Sequence, residues 1–265
     1  MLWFQIVVLA ILQGLTEFLP ISSSGHLILV PILTGWDDQG VAFDVAVHFG
    51  TLTAVMLYFR QDLAKLFAGA GPLLRGDHSG EQSSLLLALA IGTIPTALLA
   101  LVMHDWISEH LRTAAIIAAT TAGFGILLAI VDRYARRQRI LSTLKLSDAA
   151  VIGLAQCLSL VPGTSRSGIT ITAGRALGFT RSEAARFSFL LSIPIILLAA
   201  AYETYRLVVS GTAFAPELIV LATGISAVVA YFTIGFFLSV VNRVGMMPFA
   251  VYRVLLGIAI LYFLV

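Results

Sequence analysis

Charge is scarce in this chain: only 11% of its 265 residues are Asp, Glu, Lys or Arg, against about 25% in an ordinary soluble domain. With 59% apolar residues and a mean hydropathy of +0.98, that shortage excludes a solvated globular enzyme and points to a polytopic membrane protein. Cysteine is almost absent as well. The single Cys157 rules out an internal disulfide, and its apolar neighbours favour buried packing. No Walker loop, zinc signature or nucleotide fingerprint occurs, and His78, His104 and His110 have no metal-ligand spacing. Nothing in the chain suits a nucleic-acid or nucleotide partner. A basic leader with a small-residue cleavage pattern is also missing, so the first segment is expected to stay.

What is present is long and apolar. Residues 85–103, 114–131 and 218–241 carry no formal charge and match the roughly 20 residues needed to cross a bilayer core as helix. Three further segments are shorter or interrupted: 43–59, which contains Asp44 and His48; 187–202, which contains Pro194; and 248–265, which contains Arg253. The expectation is an all-α protein with six spans. Ala- and Leu-rich runs of this kind are not the alternating ten-residue segments of a barrel.

Between the third and fourth spans, Arg133, Arg136, Arg137, Arg139 and Lys145 cluster in 132–148, and the Lys/Arg bias makes that loop cytoplasmic. Counting outward puts a loop at 104–112 outside and a loop at 60–82, with Arg60, Lys65 and Arg75, inside. The basic inner surface also suits anionic lipid headgroups.

Residues 2–33 and 149–178 are apolar but broken by Pro, Gly, Ser and Thr. Irregular backbone at membrane depth is tolerated only where protein or a water-filled cavity satisfies it, so both segments read as re-entrant helix-turn-helix hairpins. They resemble each other. Gln13 precedes Pro20 and Gly25, Gln156 precedes Pro162 and Gly168, and the Gln-to-Gly separation is the same in both. This predicts one integral membrane domain over 1–265 built from repeats of about 1–131 and 148–265, joined by the basic loop 132–147. Three intervening spans would insert the repeats with opposite orientation, as in inverted-repeat transporters. The first hairpin then enters from outside, the second from inside, and both termini lie outside.

The polar residues of these hairpins are candidates for chemistry. Glu17 sits between Ile11-Leu12 and Phe18-Leu19, where an acidic side chain costs about 2.5–3.5 kcal/mol on insertion scales. Gln13, four residues earlier, lies on the same helical face. An amide and a carboxylate side by side make half of a shell for a divalent cation such as Mg²⁺, with phosphate oxygens and water completing it. Ser22, Ser23, Ser24 and Gly25 lead into His26, the residue type best suited to moving protons near neutral pH. In the second hairpin, Gly163, Thr164, Ser165, Arg166, Ser167 and Gly168 surround a guanidinium whose donor fork fits phosphate. A helix starting near Ser167 would aim free N–H groups at the same anion, with Thr170 one turn in. His48 and Asp44 can line the cavity, whereas Arg175, Arg181, Glu183 and Arg186 read as an interfacial charged cluster. The set points to phosphate chemistry beside lipid.

Gln13-Gly14-Leu15-Thr16-Glu17, Ser22-Ser23-Ser24-Gly25-His26 and Pro162-Gly163-Thr164-Ser165-Arg166-Ser167-Gly168-Ile169-Thr170 resemble the motifs of the undecaprenyl-diphosphate phosphatase family of bacterial inner membranes, also called BacA or bacitracin-resistance proteins. The resemblance extends over essentially the whole chain. It implies hydrolysis of the terminal phosphate of C55 isoprenyl diphosphate, giving the monophosphate carrier recycled in peptidoglycan synthesis. It also implies a divalent cation, Mg²⁺ or Ca²⁺, and a site open to the outer face. Arg166 would clamp the diphosphate. Glu17, with Gln13, would hold metal or orient the attacking group, and Ser24 or Ser165 would donate to the phosphate. His26 would act as acid, base or nucleophile. Gln13 stands where the family pattern permits glutamate, which leaves more of the metal role to Glu17. Covalent phosphoenzyme and direct attack by water both stay open, as does oligomeric state, a homodimer included.

The rival function is a lipid-phosphate or ion-coupled transporter, since inverted hairpins meeting at the midplane are transporter architecture. A second lipid-phosphatase class shares Ser24-Gly25-His26 but needs a further histidine after its arginine motif, and residues 167–265 contain none.

Overall fold

The computed structural model describes residues 3–37, 39–77, 80–136, 138–210 and 216–265; His78 and Arg137 lie outside them. Among the described residues the chain is all-α. The helices are α1 (Trp3–Thr16), α2 (Ser23–Thr34), α3 (Gly40–Tyr58), α4 (Arg60–Leu74), α5 (Glu81–His110), α6 (Ala114–Tyr134), α7 (Leu146–Cys157), α8 (Arg166–Ala176), α9 (Arg181–Ser210), α10 (Pro216–Val244) and α11 (Met247–Leu264). The only extended pairing among these residues is an isolated bridge between Arg139 and Phe179.

Among the described residues six helices, α3, α5, α6, α9, α10 and α11, are long and apolar enough to cross a bilayer, as their apolar runs lead one to expect. The protein is multi-pass. Helices α5 and α9, at 30 residues each, reach about 45 Å and so extend past the roughly 30 Å hydrocarbon core. Residues 104–110, expected in a loop, therefore continue α5. The 60–82 loop likewise contains α4, which buries Leu66 and Gly69 and leaves Lys65 and Phe67 exposed.

The two broken segments fold as helix, turn, helix. In the first, α1 ends at Thr16 and α2 starts after Ser22; Gly35 closes α2 at φ 70°, its amide donating to Pro31 O. In the second, a single 3₁₀ turn follows α7, and α8 starts after Ser165. Packing repeats as well. Helix α1 lies on α10 as α7 lies on α5, while α3 meets α9 and α6 meets α11. The α5–α7 approach is close enough that a Cβ on Gly153 would fall 2.6 Å from Gly92 O, which only glycine avoids. Beneath the two turns, Phe18 meets Phe189 edge-on at 5.2 Å between centroids, and Phe189 continues to Phe59 and Phe237. Leu101, Val102, Phe232, Phe236 and Leu255 face outward, the reverse of a soluble protein, because lipid solvates them.

The charged residues at the other end hold helices together. Asp132, on α6, accepts from Arg175 Nε at 2.9 Å and Arg181 Nη2 at 2.6 Å, and also from the Met246 amide at 3.3 Å. Arg175 is fully buried, and its guanidinium locks α8 to α6, the structural part for which a charged cluster is expected. Arg186 pairs with Asp62, Glu183 accepts from the Leu141 amide, and Arg139 pairs with Asp148 at 2.5 Å. Arg139, which also donates to Leu177 O at 3.1 Å, is thus a clamp at the end of α8. Cys157 is half-buried rather than buried, its thiol near Gly153 O and Thr96 Oγ1.

Candidate active site

The turns of the two hairpins meet, and each is organised around a strained serine. Ser22 (φ 76°) and Ser165 (φ 69°) are the only non-glycine residues at positive φ among the described residues, a conformation that costs about 1–3 kcal/mol. Each offsets this by capping the next helix. Ser22 Oγ accepts from the Gly25 amide at 3.3 Å and Ser165 Oγ from the Gly168 amide at 3.1 Å. Ser24 Oγ then lies 3.3 Å from Ser22 Oγ, and Ser167 Oγ lies 3.2 Å from Ser165 Oγ. Both helix N-termini leave unpaired N–H groups at the junction, the arrangement that favours anions.

Two side chains bind the turns to each other. Ser167 Oγ donates to Leu19 O at 2.9 Å. Arg253, fully buried on α11, donates to the carbonyls of Thr121 (3.0 Å), Pro20 (3.4 Å), Thr120 (3.4 Å), Gly163 (3.0 Å) and Thr164 (2.7 Å). Among the described residues no carboxylate shares this guanidinium. Gly163, at φ 88°, presses the second turn against Thr120 and Thr121 of α6 so closely that a Cβ would collide with them.

Across the junction runs the Glu17–Arg166 pair, with Arg166 Nη2 at 3.1 Å from Glu17 Oε1. Gln13 Nε2 and Ser23 Oγ donate to Glu17 Oε2 at 2.9 Å and 2.8 Å. His48 Nε2 stands 3.9 Å from the same oxygen, its Nδ1–H donating to Asp44 O at 2.7 Å. Arg166 Nη1 donates to Ser188 O at 3.1 Å, which leaves Nε–H and further terminal hydrogens for a ligand. Thr170 Oγ1 lies 2.8 Å from Arg166 O and 2.7 Å from Ser188 Oγ, so it braces the arginine. Gln13 Oε1 is buried without a partner, as is Thr164 Oγ1.

His26 sits on α2, one turn beyond its cap. Its Nδ1 is 2.7 Å from Ser22 O, and its Nε2 is 2.5 Å from the Tyr252 hydroxyl, with the two rings within 3° of parallel. A carbonyl only accepts, so the proton belongs on Nδ1 and Nε2 carries the lone pair.

The structure therefore brings Gln13, Glu17, Ser23 and Arg166 into one network and sets His26, Ser22 and Ser24 beside it on α2. Among the candidate hydroxyls, Ser24 is the exposed one. Those of Ser22, Ser165, Ser167 and Thr170 are engaged within the protein, while Thr164 and Gly163 hold Arg253 through their carbonyls. Tyr252 and the clamping role of Arg253 escaped the sequence reading, because an apolar span gives no sign of what its polar residues meet. The one available signal was an arginine next to a tyrosine in the otherwise uncharged segment 248–265.

One carboxylate, a partnerless buried amide oxygen and nearby hydroxyls form an oxygen donor set that suits a hard divalent cation whose remaining ligands come from phosphate. Among the described residues no group of three or more His, Cys, Asp or Glu converges on a metal position, so the protein alone offers only part of a shell.

The family model for the bacitracin resistance protein BacA matches residues 6–259. The undecaprenyl-diphosphatase of Alcanivorax borkumensis is 51% identical over 262 residues, covering 99% of both chains. That of Hahella chejuensis is 51% identical over 264 residues, covering 100% of this chain and 99% of its own, and that of Teredinibacter turnerae is 52% identical over 254 residues, 96% of each. With a match running from α1 into α11, and the family's motif residues lying at the junction of the two turns, this chain belongs to the BacA bacitracin-resistance family.

Proposed function

We propose that this protein hydrolyses undecaprenyl diphosphate to undecaprenyl phosphate and inorganic phosphate, the activity named for its full-length relatives, and so returns the lipid carrier to cell-wall synthesis. The observation that carries the reading is the Glu17–Arg166 pair at the junction of two turns, each opening onto a helix N-terminus. A half-buried arginine with unused N–H groups, beside a buried carboxylate, is built to receive a phosphoanhydride.

In this reading Arg166 and the α2 and α8 amides hold the diphosphate, and Ser24 donates to its terminal oxygens. Ser165 keeps Arg166 at the start of α8. Glu17 orients Arg166 and, with Gln13 Oε1, holds a divalent cation, Mg²⁺ or Ca²⁺. When bound, that cation neutralises phosphate charge. His26 Nε2 is the base. Oxygen of the attacking water bonds to the terminal phosphorus, the bond to the bridging oxygen breaks, and its electron pair leaves with undecaprenyl phosphate.

The tail needs an apolar seat. A cavity of about 270 Å³ lies between α3, α9 and α10, lined by Ala42, Val45, Phe49, Leu207, Val208 and Ile219. It suits the first isoprene units, and the rest of a C55 chain extends among lipid acyl chains.

For topology, the basic residues around 133–145 support a cytoplasmic central loop. The first hairpin then re-enters from outside and the second from inside, in inverted repeats. Both termini lie outside, and the site opens to the outer face of the bacterial cytoplasmic membrane. The paired caps at Ser22 and Ser165 also support a second reading, movement of the lipid product across the bilayer by the same repeats.

The deciding measurement is phosphate release from undecaprenyl diphosphate by purified protein, with and without Mg²⁺ or Ca²⁺, for wild type and Arg166→Ala. Metal-dependent release lost in the variant is expected. Folded wild type that releases none, but moves the lipid between vesicle leaflets, would put transport in its place.

A further inference from the structure

His26 and Tyr252 are 226 positions apart in the chain and joined by a 2.5 Å contact. We propose that Tyr252 is a catalytic proton shuttle, through which His26 takes the proton of the attacking water. The proposal rests on the hydrolase reading above.

With Nδ1–H committed to Ser22 O, the imidazole has a single basic atom, and its one in-plane lone pair receives the Tyr252 O–H. While that bond stands, His26 has no lone pair left for water. The phenol oxygen still has lone pairs of its own. His26 is 7% exposed and Tyr252 is 42% exposed, so of the two joined rings the tyrosine is the one that reaches the surface. The contact is also held from behind: Arg253, the next residue, ties α11 to Pro20, Gly163 and Thr164 of the two turns.

The step balances without an added reagent. As the water oxygen bonds to the terminal phosphorus, its proton passes to Tyr252 Oη and the Tyr252 proton passes to His26 Nε2. The bridging P–O bond breaks, and its electrons leave on undecaprenyl phosphate. The second water hydrogen stays on the released phosphate, and His26 afterwards returns its extra proton to solvent by the same route. Two protons are in flight in one step.

The experiment is steady-state hydrolysis of undecaprenyl diphosphate by the full-length protein in detergent, for wild type, Tyr252→Phe and His26→Gln, in mixtures of light and heavy water. Phenylalanine keeps the ring and removes only the relay atom. The expected result is a kcat lowered about 10²-fold with KM unchanged, and a bowed dependence of rate on deuterium fraction in wild type that becomes straight in Tyr252→Phe. If Tyr252→Phe does not fold, 3-fluorotyrosine at 252 keeps shape and hydrogen bond, and the rate must then follow the acidity of the phenol. A wild type that hydrolyses, a dead His26→Gln and a Tyr252→Phe with unchanged or higher kcat would overturn the shuttle and leave the hydrolase reading standing. A folded wild type that releases no phosphate would overturn both.

Discussion

Ser22 and Ser165 adopt the same left-handed backbone, φ 76° and 69°, at the same place in two hairpins, and each caps its helix through the amide of the glycine three residues on. The equal Gln-to-Gly separation in the two segments is the trace of this in the sequence: Gly25 and Gly168 are the cap donors. Strain is retained because the left-handed serine turns the chain sharply enough to bring both helix N-termini to one junction.

Replacement of Ser165 by alanine loses the cap and keeps the strain, so it should destabilise the protein by about 1–2 kcal/mol. Ser165→Gly relieves the backbone and should cost less. Thermal unfolding in detergent ranks the two; an alanine variant as stable as the glycine variant would refute the account of the cap.

In the Glu17–Arg166 pair the carboxylate is buried and the guanidinium half-buried, and removing one partner strands the other charge. Glu17→Gln and Arg166→Met should each lower stability, by about 3–5 kcal/mol at most, and each should reduce phosphate release by at least about 10²-fold. The double variant should recover stability without recovering activity. A double-mutant cycle in unfolding and in turnover reads both; additive stability losses would mean the pair is not coupled.

Arg253 satisfies five carbonyls from three segments. Arg253→Met leaves them unpaired at about 1–3 kcal/mol each where water cannot reach, so the expected outcome is loss of folded protein. Arg253→Lys should fold with lowered melting temperature and poorer binding of substrate. Size-exclusion profile and KM together test this, and a Met variant with wild-type stability would contradict it.

For the tail cavity, Ala42→Trp should raise KM for undecaprenyl diphosphate several-fold while leaving turnover of a water-soluble short-chain diphosphate within about twofold, since apolar burial scales with the area covered. Equal effects on both substrates would move the tail elsewhere.

The six spans were legible because a bilayer accepts only long apolar helices, and the hairpins because Pro, Gly and Ser interrupt two apolar segments at matching positions. Helix α4 was missed: its Arg, Asp, Lys and Pro dilute the apolar face that only Leu66 and Gly69 present to α5. The sequence places Arg175 in a charged cluster without naming the carboxylate that meets it. In the fold its partner is Asp132, some forty positions away.

The sequence by itself determined a membrane protein of six spans and two broken segments, and it named Glu17, His26 and Arg166, because a charged or titratable side chain in apolar surroundings is too costly to keep without use. Tertiary structure alone decided which groups meet. The Glu17–Arg166 pair, the Arg253 clamp and the His26–Tyr252 contact join residues 149, 233 and 226 positions apart. Contacts of that range depend on how α3, α6, α9 and α11 pack around the two turns, and local hydrophobic pattern carries no record of it.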